Sequence, residues 1–173
     1  IYDEQTSGGS GKLVWEQGRN TMVFGLDYKY GDVDQTIRSG PYYQSIGAPE
    51  IDRTTSDVQS WAAYLNDTFS VNGWSFTPGI RYDYNNIDGS FVSPSLGITY
   101  HLNETSVLRF AAARGFTTPP LTMTSGGALL LDPNPDLESE AVWSYQVGME
   151  SSSIPYAWIK GAAFYHDLEN ALY

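Results

Sequence analysis

The chain has 173 residues and a net charge of −11, with 41% hydrophobic and 14% aromatic residues. That length suits one ordinary domain, and the charge argues against nucleic acid, which needs clustered Lys and Arg. Cysteine is absent, so disulfides and thiolate metal sites are excluded, and no apolar run approaches the roughly 18 residues of a helical membrane span. A barrel strand needs only about ten residues, of which alternate ones face lipid. Thirteen Tyr, seven Phe and five Trp fit the aromatic girdles of such a barrel and equally fit a carbohydrate-binding sandwich. The start, "IYDEQTSGGSGK", has neither the basic nor the apolar region of a signal peptide, so a chain beginning inside something larger, or one already trimmed, is expected.

In chain order, the first strand is expected near 3–17. A period of two is clear in 22–30, where Met22, Phe24, Leu26, Tyr28 and Tyr30 oppose Val23, Gly25, Asp27 and Lys29. Segment 60–69 reads as a strand of mixed facing. In 74–84, Trp74, Phe76, Pro78, Ile80, Tyr82 and Tyr84 oppose Ser75, Thr77, Gly79, Arg81 and Asp83. In 92–100, Val92, Pro94, Leu96, Ile98 and Tyr100 oppose Ser93, Ser95, Gly97 and Thr99. Segment 106–116 alternates until Arg114 falls out of phase. In 143–150, Trp143, Tyr145, Val147 and Met149 oppose Ser144, Gln146, Gly148 and Glu150, and 156–166 supplies the last strand. No helix is expected. The second face is small and polar, which suits a crowded or watery lumen behind a lipid-facing exterior. Pro78 and Pro94 each cost a ladder donor, so a bulge or bend is expected there.

Short links at Gly18–Asn20, Val71–Gly73, Asn103–Thr105 and Ser152–Pro155 alternate with long ones near 31–56, 85–90 and 117–138. Outer-membrane barrels have short periplasmic turns and long outer loops. The expected fold is therefore all-β: about eight antiparallel strands of a transmembrane β-barrel. Trp15 and Trp74 would lie at the periplasmic rim, with Tyr30, Tyr84 and Phe116 at the outer rim.

Three segments carry a family pattern. "WSFTPGIRYDY" resembles the "l-x-x-G-x-R-Y-D" strand of TonB-dependent outer-membrane receptors. "FVSPSLGITYHLNETSVLRFAAARGFTTPPL" resembles their "sP-x-x-g-l-x-Y … s-x-x-r-G-f-r-x-P-x-l" segment, and "NPDLESEAVWSYQVGME" their "NPdLkpE-x-s-x-x-y-E-l-G" segment. Gln146 and Thr118 are small departures. The resemblance implies residues 1–173 as part of a barrel of about 22 strands, from its middle and later portion, without plug domain or TonB box. It implies uptake of a scarce nutrient such as an iron–siderophore complex, haem or cobalamin. The implied partners are outer-membrane lipid, the remaining barrel, the plug and, through it, the TonB complex. No cofactor is implied.

Candidate ligand contacts on the outer loops are Tyr42, Tyr43, Tyr84, Phe116 and Met123, since aromatics can stack on catecholates or sugars; packing between loops is the plain alternative. Arg81 and Asp83 are expected to face the lumen in an ion network. No metal site is expected: "DYNNIDG" lacks the spacing and closing Glu of a calcium loop. His166 and Asp167 are adjacent on a strand and point to opposite faces, so they form no catalytic dyad. Two other architectures remain open at this point, a free-standing small barrel with a structural or adhesive role and a soluble carbohydrate-binding β-sandwich. A barrel-borne hydrolase is the weakest reading.

Overall fold

The computed structural model describes residues 2–87, 89–118 and 139–170. They form one antiparallel sheet in strand order β1 to β8: Tyr2–Gln17, Asn20–Arg38, Ile51–Val71, Trp74–Asn85, Gly89–Asn103, Ser106–Thr117, Glu140–Ser151 and Ile159–Glu169. Every neighbour in the sheet is the neighbour in sequence. All eight expected strands are present, the last starting at Ile159 rather than 156, after a link in which Tyr156 takes φ 63.

Turn chemistry explains the short links. Asn72 and Gly73 both have positive φ (49 and 82), as a two-residue type I′ hairpin requires, and they close the Val71↔Trp74 pair. Between β5 and β6 the Asn103 carboxamide accepts hydrogen bonds from the backbone N–H and hydroxyl of Thr105, both at 2.9 Å.

At the other end of the sheet the expected loops are shorter than the sequence suggested. The 31–56 loop is mostly strand: the β2–β3 ladder continues from Gly31↔Val58 to Arg38↔Ile51, leaving only 39–50 as connection. Segments "GDVDQTIR" and "IDRTTSDV" lack apolar alternation because this part of the hairpin rises beyond the aromatic rows and meets water on both faces. A one-turn helix, α1 (Pro41–Ser45), sits at the tip where none was expected. Pro41 opens it, and the Ser45 hydroxyl donates to the Tyr42 carbonyl at 2.6 Å. The 85–90 link tightens to residues 86–88, closed by Asn85↔Gly89 with Gly89 at φ 85. Of the 117–138 loop, residues 119–138 lie outside the described residues.

The two prolines sit where the ladder is interrupted. The β3–β4 pairs run to Asn66↔Gly79 and resume at Phe69↔Phe76 in unchanged register, skipping the two steps at Pro78 and Thr77. No register shift is needed there. The β5–β6 pairs end at Ser95↔Ala113, so Pro94 lies just past the last bonded step. Each missing N–H thus coincides with a step that is absent from the ladder.

The faces follow the expected alternation. One carries a broad row of aromatics: Trp61 contacts Tyr82 and Tyr84 (ring centroids 5.3 and 5.9 Å), and Trp74 stacks on Tyr100 at 4.2 Å. Between these rows lie Leu65, Ile80 and Leu96, all exposed. From Trp74 to Tyr84 the strand runs about 34 Å, which at the usual barrel tilt spans about 25 Å of membrane thickness. Among the described residues there is one sheet, and the second sheet that a sandwich would lay over this face is not among them. Strands β1 and β8 do not pair with each other among the described residues, so the sheet does not close as a small barrel.

Candidate functional site

The opposite face is paved with small residues in register. Thr77, Gly97 and Ala111 lie in one row across β4–β6, and Gly79, Ser95 and Ala113 in the next. Charged groups stand on this floor in three clusters. The central one is Asp27–Arg81–Asp83. Arg81 Nε donates to Asp83 Oδ1 at 2.9 Å, and its Nη1 donates to Asp27 Oδ2 at 2.8 Å. Asp27 is on β2 and Arg81 on β4, so the guanidinium bridges across β3. Ala62, which pairs with both Asp27 and Asp83, is small enough to leave the crossing open.

Tyr64 carries the same bridge. It pairs with Gly25 on one side and Arg81 on the other. Its ring lies over Gly25, where any Cβ would overlap it, and the Arg81 guanidinium sits 5.6 Å from the ring centroid. Gly25 therefore supplies a slot for the tyrosine, and the tyrosine a platform for the cation.

The second cluster lies nearer the long-loop end. Arg114 sits over the Phe91 ring at 4.6 Å and donates through Nη2 to Glu169 at 3.1 Å, while Phe91 stacks on Phe116 at 4.3 Å. These residues line a hollow of about 180 Å³ that also includes Asp83 and Asn85. The Arg114 Nε is buried without a partner. The third cluster lies toward the short-turn end, where Arg109 donates to Glu150 at 2.6 Å and the Trp158 indole donates to the same carboxylate at 3.1 Å. Among the described residues no group of three His, Asp or Glu could hold a metal ion.

The structure distributes the candidate residues rather than gathering them. Tyr42 and Tyr43 stand at the hairpin tip, edge to face at 5.5 Å, with Tyr42 72% exposed. Tyr84 lies in the outer aromatic row against Trp61, and Phe116 against Phe91. Arg81 and Asp83 share the central cluster. Met123 lies outside the described residues. Sequence reasoning missed Asp27, Tyr64, Phe91 and Glu169 as partners. Asp27 had been placed on the polar face, but its link to Arg81 spans 54 residues and needed the β2–β3–β4 register to be seen.

Asn86 was also missed. Its carboxamide accepts from the Gln59 N–H at 2.8 Å and donates to the Asp57 carbonyl at 3.1 Å. It thereby ties the short β4–β5 turn to the edge of the taller hairpin, where β3 continues past β4.

Comparison with known proteins fits this geometry. The ferrienterobactin receptor of Escherichia coli (strain K12) is 27% identical over 106 residues, 53% of this chain and 14% of the receptor. The crystal structure of a ferric enterobactin receptor mutant from Pseudomonas aeruginosa in complex with enterobactin superposes at TM-score 0.76 with 21% identity, covering 97% of this chain and 27% of that one. A siderophore receptor from Pseudomonas aeruginosa gives TM-score 0.79 at 20% identity, covering 96% and 32%. The FrpB iron transporter of Neisseria meningitidis gives 0.76 at 12% identity, covering 98% and 29%. The chain thus spans about a third or less of the length of these solved relatives. Residues 2–173 match the family described as TonB dependent receptor-like, beta-barrel, so the chain belongs to that family of bacterial outer-membrane transporters, which are not enzymes.

Proposed function

We propose that this segment forms part of the wall of a longer receptor that binds an iron–siderophore complex outside the cell and imports it with TonB-coupled energy. The observation that carries this reading is the sequence match to a ferrienterobactin receptor within the family match. The β1 and β8 edges, unpaired among the described residues, support the longer chain, because exposed edges need partner strands. In this reading the plug and the TonB contact are supplied by other parts of the receptor. Arg81 and Asp83 hold the lumen wall in shape, and the aromatic face meets lipid. Tyr42 and Tyr43 offer the first aromatic contact to the cargo, from a tip about 26 Å along the strands from the outer girdle.

The test is radiolabelled iron uptake by iron-starved cells with the receptor gene deleted and restored, supplied with a panel of ferric siderophores. Restoration should recover uptake of at least one complex in a TonB-dependent manner. Tyr42→Ala with Tyr43→Ala should raise its half-saturation concentration about tenfold, the scale of an aromatic hot spot. Equal uptake with and without the gene, for every complex, refutes the import reading.

A further inference from the structure

We propose that Asp67 and Asn20 form a site on the outer wall of the barrel for the primary ammonium headgroup of a phospholipid in the periplasmic leaflet. Asp67 stands in β3 two residues from Leu65 and two from Phe69, both exposed on the aromatic face. The β3–β4 register is the same above and below it, so its side chain shares that face. Its neighbour on β2 is Met22. A carboxylate set among Leu65, Phe69 and Met22 faces acyl chains, where an ionisable group is costly and marks a site.

The surroundings of Asp67 supply an amide but no cation. In the orientation that satisfies both neighbours, the Asn20 carboxamide donates to Asp67 Oδ1 at 2.7 Å and to the Thr68 carbonyl at 2.9 Å. Asn20 thereby covers the ladder steps missing at Asp67 and Thr68. On the inner face, Asp27, Asp83, Glu150 and Glu169 are each held by an arginine. Among the described residues Asp67 has no such counter-charge.

The depth fits a headgroup. The aromatics at the short-turn end step inward across the sheet, from Trp74 on β4 to Trp15 on β1, which shares a row with Met22 and Asp67. Tilted strands require such a slope. The line between the two tryptophans crosses β3 near Phe69. Asp67 lies one residue pair further in, about 7 Å along the strand and about 5 Å in depth. An ammonium on a flexible headgroup reaches that level, and its N–H donors complete a carboxylate that one neutral amide leaves half satisfied. A choline headgroup carries the same charge without an N–H, and a glycerol headgroup carries no cation.

The experiment uses the full-length receptor in nanodiscs of equal parts phosphatidylethanolamine, phosphatidylcholine and phosphatidylglycerol. The lipids it keeps on release into mild detergent are counted by native mass spectrometry. The ethanolamine lipid should be retained about tenfold over the choline lipid, the factor of one charge-assisted hydrogen bond. Stepwise N-methylation of the ethanolamine should weaken retention as donors are lost. Asp67→Asn keeps an oxygen for the Asn20 amide, so unfolding in phosphatidylcholine should be unchanged while the preference disappears. A flat methylation series, or a preference that survives Asp67→Asn, overturns the inference. So does a loss of stability in phosphatidylcholine with lipid retention unchanged, which would make Asp67 a repair of the ladder alone. A second protein or receptor copy that stays with the wild type and is lost on Asp67→Asn overturns it as well. The site rests on the membrane setting of the barrel, so none of these outcomes touches the import reading.

Discussion

Replacing Gly25 by alanine tests whether Tyr64 is locked into the wall by the slot beneath it. Gly25 is not among the positive-φ residues, so alanine meets no backbone obstacle, only the Tyr64 ring. The overlap falls on Cζ, Cε1 and the hydroxyl at the far end of the ring, so the ring must tilt off Gly25 and out of its slot. Forcing such a move in a packed site costs about 1–3 kcal/mol. Losing the Arg81 contact at 5.6 Å adds about 0.5–1 kcal/mol. Once Tyr64 is gone the same substitution should be neutral or favourable, because alanine is better than glycine in a strand by about 0.5–1 kcal/mol. A double-mutant cycle with Tyr64→Ala should then give a coupling of about 2–3 kcal/mol. The readout is urea unfolding of the receptor in lipid vesicles, followed by tryptophan fluorescence. A coupling below about 0.5 kcal/mol, within the additivity of independent sites, refutes the lock.

Arg81→Met leaves Asp27 and Asp83 facing each other without their bridge. The side chains of Arg81 and Asp27 are 40% and 37% exposed, so water limits the cost to about 1–2 kcal/mol in the same unfolding assay; adding Asp83→Asn should recover most of it. Ile80→Arg places a charge midway between the aromatic rows and should cost about 2–4 kcal/mol in vesicles, with no such loss if that face were in water. Asn86→Ala removes the acceptor of the Gln59 amide, whose hydrogen exchange should quicken about tenfold while Tyr64 and its neighbours keep their protection.

The sequence was most informative where one face meets lipid. The contrast between faces fixed strands 22–30, 74–84, 92–100 and 143–150 because each side chain there has only two environments to choose from. The hairpin above the girdle was misjudged as loop for the converse reason: residues 31–38 and 51–58 have water on both sides, and strand formation there depends on cross-strand hydrogen bonds, which leave no hydrophobic pattern. Pro78 and Pro94 were legible as ladder faults but not as to which neighbour would be lost, since that needs the strand order. The Asp27–Arg81–Asp83 cluster was half visible. Arg81 and Asp83 sit two apart on one strand and share a face by geometry alone, whereas Asp27 joins them only through the register across β3. The positions of Tyr42 and Tyr43 on a raised tip likewise follow from hairpin length, which composition does not encode.

The absence of a core decides what these strands can do alone. Among the described residues the buried hydrophobics are Ala62 and Ala141, and no side chain is fully buried. Trp61, Trp74, Ile80 and Val147 lie open on one face, and the other is mostly small and polar, with apolar contact confined to pairs such as Phe91 and Phe116. Backbone pairing and aromatic contacts within the sheet cannot offset the chain entropy of eight ordered strands without lipid on one face and further strands at both edges. The isolated 173-residue chain in detergent-free water should therefore show no cooperative transition and should aggregate through its apolar face and open edges. A sharp, reversible urea transition of the monomer, reproduced by fluorescence and circular dichroism, refutes this reasoning, because it would require a buried core that a single open sheet does not possess.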